Sequence, residues 1–155
     1  MKLKKILALA LALTLALALA ACGGEGEVKS VDINALASEL LDAATFGEPM
    51  NALESATALG LYGCAEGTEV VAYAGTGATA EELAVFNCGT AEAADTLVKN
   101  LETRNQTRIS QYSDYNPAEV PKLEKALIMS GGQYVVLLVA SDTSSAEKIA
   151  SDALK

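Results

Sequence analysis

The sequence predicts an α+β domain: an antiparallel sheet of about four strands in two hairpins, with helices packed on one face, in the order α-ββ-α-ββ-α. Three observations predict it. Residues 68–74 and 82–88, and again 125–129 and 134–140, are pairs of apolar runs that each flank a glycine-bearing turn, the pattern of a hairpin. Three segments, near 33–44, 90–112 and 144–153, carry apolar residues at the i, i+3, i+4 spacing of an amphipathic helix. The segments follow one another as helix, hairpin, long helix, hairpin, helix, which packs as helices on an antiparallel sheet.

Each element has its own signals. Ile33, Leu36, Ala37, Leu40, Leu41 and Ala44 form the stripe of the first helix, capped by Asp32 and stopped near Gly47. Residues 48–58 leave two readings open, a turn at Pro49 or a short helix from Asn51. Residues 59–64 are expected as a short strand or extended segment. Val70, Val71 and Tyr73 mark the next strand, Gly75-Thr76-Gly77-Ala78-Thr79 a turn, and Leu83, Val85 and Phe86 the returning strand. Thr90 caps a long helix whose stripe runs through Ala94, Leu97, Val98, Leu101, Ile109 and Tyr112, interrupted at Asn105. Pro117 forces the preceding residue out of helical conformation, so the helix should end at Tyr115-Asn116 and residues 115–122 should be irregular. The second hairpin turns at Ser130-Gly131-Gly132-Gln133. Its returning run, 134–140, is almost continuously apolar, the mark of a central strand covered on both faces. Ser144 and Glu147 have capping-box spacing at the start of the last helix.

The amino terminus carries a different message. Three lysines stand among residues 1–5, and residues 6–21 hold Thr14 as their one polar side chain. A basic start, a short apolar stretch and a small-residue exit make a secretory signal. Sixteen residues fall short of the ~20 that a membrane-spanning helix needs, and Gly23-Gly24-Glu25-Gly26-Glu27 follows without a basic flank. Leu19-Ala20-Ala21-Cys22 resembles the lipobox of bacterial lipoproteins. The resemblance implies cleavage between Ala21 and Cys22 and thioether lipidation of Cys22. The expected organisation is a lipoprotein signal peptide at 1–21, a lipidated cysteine with a flexible tether at 22–30, and a single α+β domain at 31–155.

Beyond residue 21 the chain holds 8 basic and 20 acidic residues, a net charge of −12. Such a surface repels nucleic acid and anionic lipid. The chain has no histidine, which removes the commonest general base and metal ligand. No metal-ligand spacing is present, and no metal or cofactor is expected. Cys64 and Cys88 form an even pair. Two readings stay open for them: a disulfide, suited to a compartment outside the cytoplasm, or two buried thiols acting as small hydrophobes.

Candidate sites are few, and no catalytic residue is assigned. Arg104 and Arg108, the only arginines, stand four apart and project from one helical face. With Tyr115 and Glu119 they make the candidate ligand site or, alternatively, a structural ion-pair site in which the arginines pair with Glu102, Asp114, Glu119 or a backbone carbonyl of residues 112–119 and tie that segment down. Tyr112 and Tyr115 beside Pro117 read as a plug at the end of a core or as a ligand contact. Glu81-Glu82, Asp142 and Asp152 read as an acid/base or calcium pair or as ordinary acidic surface, and without the alternating oxygen ligands of a calcium loop the surface reading is the expectation. Gly75-Thr76-Gly77 lacks the spacing and lysine of a phosphate loop. Ser145 and Lys148 have Ser-x-x-Lys spacing without the companion motifs of such enzymes.

The stretch Arg104…Arg108…Tyr112-Ser113-Asp114-Tyr115-Asn116-Pro117-Ala118-Glu119-Val120-Pro121-Lys122-Leu123, followed by Ala126-Leu127-Ile128 and Gly131-Gly132-Gln133-Tyr134-Val135-Val136, resembles the domain-of-unknown-function family 4358. Glu82-Leu83-Ala84-Val85-Phe86 matches the middle strand of that family. The resemblance implies a small lipoprotein of the kind found in Gram-positive anaerobes, and it implies no activity. Cys64 and Cys88 stand outside its pattern, so a disulfide would be particular to this chain. The expectation is therefore a lipid-anchored lipoprotein at the extracytoplasmic face of the membrane, a non-catalytic binding or envelope-assembly module. Its partners would be the membrane, through Cys22, and an envelope protein or small ligand, with no nucleic acid. The alternative is a small cell-envelope enzyme using carboxylates, on cell-wall glycan.

Overall fold

The structure is a computed structural model that describes residues 30–155; the expected signal, cleavage point at Ala21 and lipidation of Cys22 lie outside the described residues. In chain order the elements are α1 (Ile33–Ala43), β1 (Asn51–Ala52), α2 (Ser55–Tyr62), β2 (Glu69–Ala74), β3 (Glu82–Asn87), α3 (Ala91–Tyr115), a 3-10 turn (Pro117–Glu119), α4 (Val120–Glu124), β4 (Leu127–Gly131), β5 (Tyr134–Val139) and α5 (Ser144–Ala153). The class is α+β, with every strand pairing antiparallel.

The sheet has five strands in the order β1-β2-β3-β5-β4. Both predicted hairpins are present, and they join through β3 against β5, with Glu82 opposite Val139 and Asn87 opposite Tyr134. The fifth strand is β1, two residues long, which pairs Asn51 with Ala74 and Ala52 with Tyr73. It is too short to leave a periodic signal. In the second hairpin Gly131 pairs with Tyr134 across a two-residue loop. Gly132 takes a φ of 54° there, while among the described residues no non-glycine residue has positive φ, the pattern of a II′ turn.

The helices cover both faces of the sheet, which corrects the expectation of one. Strand side chains alternate between faces. Leu83, Val85, Val136 and Leu138 pack with Leu36, Ala37 and Leu40 of α1 and Ala146 and Ala150 of α5. Ala84, Phe86, Val135 and Leu137 pack with Ala58 and Tyr62 of α2, Leu97 and Leu101 of α3, and Leu123 of α4. The two cores explain why 82–86 and 134–139 are buried at every position.

Other corrections are local. Residues 59–64 are not extended: α2 runs to Tyr62 and ends at Gly63 in the left-handed region. Residues 115–122 are not irregular. Asn116 ends α3 as Pro117 requires, but Pro117 and Pro121 then stand in the first turn of two short helices, where a missing N–H costs nothing. The third strand starts at Leu127, since Lys125 still closes α4. The last helix is capped from Asp142, whose Oδ1 accepts from the Ser144 N–H at 2.9 Å and its hydroxyl at 2.7 Å. The other caps stand as expected: Asp32 accepts from Asn34 and Ala35, and Thr90 from Ala93. Among the described residues no helix is long and apolar enough to cross a membrane.

Candidate functional site

The site is built where the loop after β2 enters β3. Glu81 and Glu82 are consecutive, so their side chains leave opposite faces of the sheet. Both are buried. Glu82 is in phase with Ala84 and Phe86 and so meets the α2–α3 layer. Its Oε1 accepts from Arg104 Nη1 at 2.7 Å and from Arg108 Nη1, and its Oε2 accepts from the Tyr62 hydroxyl at 3.2 Å. Glu81, with a side chain 0% exposed, accepts from the Gly47 N–H on both oxygens, at 2.9 and 2.8 Å. Its Oε1 also accepts from Lys122 Nζ at 3.0 Å and from the Ser141 hydroxyl at 2.8 Å.

A single stripe of α3 aligns this loop. Arg104, Arg108, Tyr112 and Asn116 recur every four residues and so share one helix face. In that order they bond progressively earlier positions of the facing chain. Arg104 takes Glu82, and Arg108 takes Glu82 and, at 2.9 Å, the Ala80 carbonyl. The Tyr112 hydroxyl donates to the Thr79 carbonyl at 2.8 Å, and Asn116 Nδ2 to the Ala78 carbonyl at 3.1 Å. Three successive carbonyls, running from exposed Ala78 to buried Ala80, thus receive side-chain donors, which the interior ones require. Glu119 completes the hold from the other side: its Oε2 accepts the Ala80 N–H at 2.9 Å and lies 3.0 Å from Lys122 Nζ. Glu48 anchors the tip of the same loop through the Thr76 and Thr79 hydroxyls.

The electrostatics follow from these contacts. Burial, reinforced by the Glu82 charge, pushes the Tyr62 hydroxyl far above its ordinary value, so it stays a donor. Burial raises Tyr112 to about 12. Burial alone would lower the Lys122 ammonium, but its bonds to Glu81 and Glu119 outweigh that and raise it. The guanidinium of Arg104 also lies 4.9 Å from the Tyr62 ring centroid, and that of Arg108 5.6 Å from the Tyr112 ring, within cation–π range.

Both arginines pair with Glu82, a partner outside residues 112–119. Neither bonds Asp114, Glu119 or a carbonyl of residues 112–119; both turn across to the strand end at 80–82. Tyr115 stays outside the charged group. It is 61% exposed, with its ring 4.8 Å from that of Tyr112. Glu81 and Glu82 are not acidic surface. The signal that could have found them is strand phase: an acid at the first position of an otherwise buried strand faces helices, and the nearest cations at helical spacing are Arg104 and Arg108.

A cleft of about 120 Å³ opens beside this group, lined by Leu61, Gly75, Gly77, Thr79, Tyr112, both glutamates and both arginines among others. Arg104 and Arg108 side chains are 23% and 14% exposed. Leu61, 46% exposed, stands on its wall. Two larger grooves, of 410 Å³ beside Cys64 and Thr90 and of 440 Å³ beside Ile33 and Val71, have no comparable set of converging charges. Cys64 and Cys88 both carry free thiols and pack into the α2–α3 core. Burial raises each to about 11, and the Cys64 thiol adds to the effect at Cys88. Among the described residues, no group of three or more histidine, cysteine, aspartate or glutamate side chains is placed to hold a metal ion.

Fold and site together define a small three-layer domain, an antiparallel sheet between two helical layers, with a buried ion-pair group at one end and a cleft beside it. Residues 61–140 match the family described as a domain of unknown function, DUF4358, and the chain belongs to that family. No curated protein and no solved structure matches the chain significantly. The matched segment holds Glu81, Glu82, Arg104, Arg108, Glu119 and Lys122. Gly47 and Ser141, which complete the shell of Glu81, and helices α1 and α5, which cover the second face, lie outside it.

Proposed function

We propose that the protein is a non-catalytic binding module held at the extracytoplasmic face of the cell membrane by lipid on Cys22. The anchoring part rests on the lipobox-like Leu19-Ala20-Ala21-Cys22 at the end of a short apolar run. Two or more acyl chains are needed for stable anchoring, and a lipidated, N-acylated cysteine supplies them. The binding part rests on one observation: the arginine pair is preorganised by Glu82, Tyr62 and the Ala80 carbonyl, yet still faces a cleft whose wall carries an exposed leucine. A side chain held rigid by internal partners loses little entropy on binding.

The same contacts speak against carboxylate chemistry. A general acid or base needs a carboxyl free to meet the proton that it moves. The Glu82 carboxylate beside the cleft is held by both arginines and Tyr62 and is almost wholly buried, and that of Glu81 is turned away from the cleft onto Gly47, Lys122 and Ser141. Two measurements test the proposal. The wild type should incorporate labelled palmitate and sediment with membranes, and Cys22→Ser should do neither; a wild type without palmitate overturns the anchor. A photocrosslinker at Tyr115 in intact cells should give a discrete adduct that Arg104→Ala diminishes. Absence of any adduct overturns the binding role.

A further inference from the structure

We infer that the Arg104 cleft receives a single organic carboxylate, the C-terminal carboxyl group of a peptide whose last side chain is apolar. The inference rests on the binding reading above and specifies its ligand. Charge sets the valence. Arg104 and Arg108 share one carboxylate, Glu82, which leaves one positive charge on the side facing the cleft. On the opposite side of the group Lys122 is shared by Glu81 and Glu119, so the compensating negative charge lies there. A monoanion matches that single charge. A doubly charged phosphate would face the Glu82 carboxylate and the net charge of −12 carried beyond residue 21.

Donor geometry selects Arg104 within the pair. Arg108 is committed through Nη1 to Glu82 and through Nη2 to the Ala80 carbonyl, whereas Arg104 bonds Glu82 through Nη1 alone and is the more exposed of the two. Its planar guanidinium can therefore present a two-pronged edge to a carboxylate while its face rests on Tyr62. Size and lining choose the rest. The cleft, about 120 Å³, is well below the 300–1,000 Å³ of sites that enclose a whole small molecule, so it takes the end of a ligand. Leu61 offers an apolar wall, which an inorganic anion would not use, and Gly77 offers bare backbone with open space where a Cβ would stand. The described chain exposes two large hydrophobic side chains, Leu61 on the cleft wall and Tyr115 packed at a tilt against the wall residue Tyr112.

The test titrates the purified chain from residue 23 onward with N-acetyl-Ala-Leu as the free acid, its C-terminal amide and inorganic phosphate, following the Arg104 Nε–H and Leu61 methyl NMR signals. The free acid should shift both signals saturably and bind about tenfold or more tighter than the amide. Arg104→Gln should lose that preference while keeping its melting temperature near the wild type, because Arg108 and Tyr62 still hold Glu82. Arg104→Lys should retain part of the affinity and lose the two-pronged contact. Equal binding of acid and amide, tighter binding of phosphate, or no binding of the acid up to about 10 mM overturns the carboxylate assignment. If that assignment fails while the Tyr115 crosslink in cells persists, the binding reading stands without it; if both fail, both are wrong.

Discussion

Arg108→Ala is the sharpest probe of the buried ion-pair group. The substitution removes two hydrogen bonds, one to Glu82 and one to the Ala80 carbonyl, and the cation beside the Tyr112 ring. A hydrogen bond to a charged group contributes ~1.5–3 kcal/mol, so the two together set an upper bound near ~6 kcal/mol. Two features of the structure lower it. Glu82 keeps Arg104 and Tyr62, so the ~3–5 kcal/mol of an unpaired buried charge is not reached. Arg108 itself lines the cleft, so truncating it opens a path for water to the buried Ala80 carbonyl. The expected loss is ~2–3 kcal/mol.

At ~2.1 cal/mol/K of unfolding entropy per residue, the folded residues 30–155 convert that loss to a fall of about 10 °C in melting temperature. Arg104→Ala, with one bond lost at a more exposed position, should cost less than half as much. Circular dichroism melts and urea titrations of the two variants side by side check both size and order. An Arg108→Ala melt within 2 °C of wild type, or a larger effect from Arg104→Ala, would refute the assignment of Arg108 as the structural member of the pair.

Acid should loosen the 75–80 loop through Glu48. Hydrogen bonds from Thr76 and Thr79 hold its carboxyl below the ordinary 4.5, so its stabilising contribution is present above that pH and is lost as pH falls through the lower folded value. Glu48→Gln should flatten that part of a stability–pH curve, and an unchanged curve would show that the loop does not depend on the charge. Gly131→Ala should displace the C-terminus, because a Cβ there would lie 2.0 Å from the Leu154 carbonyl oxygen; hydrogen exchange in α5 should accelerate, and unaltered exchange would contradict the close approach. Reduced native protein should alkylate slowly at pH 8, since burial raises Cys64 and Cys88 to about 11. If the exported chain bridges them, denaturation without reductant should expose no thiol, and two labelled cysteines would exclude the bridge.

The fold was legible where the signal was local or periodic. Both hairpins, the α3 cap at Thr90 and its end before Pro117 follow from residues within a few positions of each other. The strand β1 was not legible, because two residues carry no period and exist as a strand only by pairing with Tyr73 and Ala74. The second helical layer was legible in part: the continuous apolar run at 134–139 demands cover on both faces, and so does 83–86. Reading α1 and α5 as a layer separate from α2 and α3 needed only that demand taken to its consequence. In the site, the i, i+4 spacing of Arg104 and Arg108 placed them on one face, but their partners lie 22–28 residues away in sequence. Nearby acids such as Asp114 and Glu119 were the better local candidates, and tertiary placement of β3 under α3 overrode them.

The glutamate pair accounts for more than local satisfaction of charge. Adjacent residues at the entry to β3 hold it from two sides, so Glu82 ties it to α2 and α3 while Glu81 ties the same backbone to Gly47 and Ser141, in the loops after α1 and before α5, and to Lys122 of α4. A slip of one residue in the β3–β5 register would carry every side chain to the opposite face. It would set Leu83 against two guanidiniums and turn Glu82 toward the Leu36–Leu40 side, a mismatch that leaves charges unpaired in an apolar core. Buried ion pairs seldom exceed hydrophobic packing in stability, so their contribution here lies in register: they make one alignment of a uniformly apolar central strand the only satisfied one. The same fixed alignment holds the Arg104 guanidinium at the mouth of the cleft, and a rigid, internally partnered cation beside Leu61 follows from the way the two hairpins are held together.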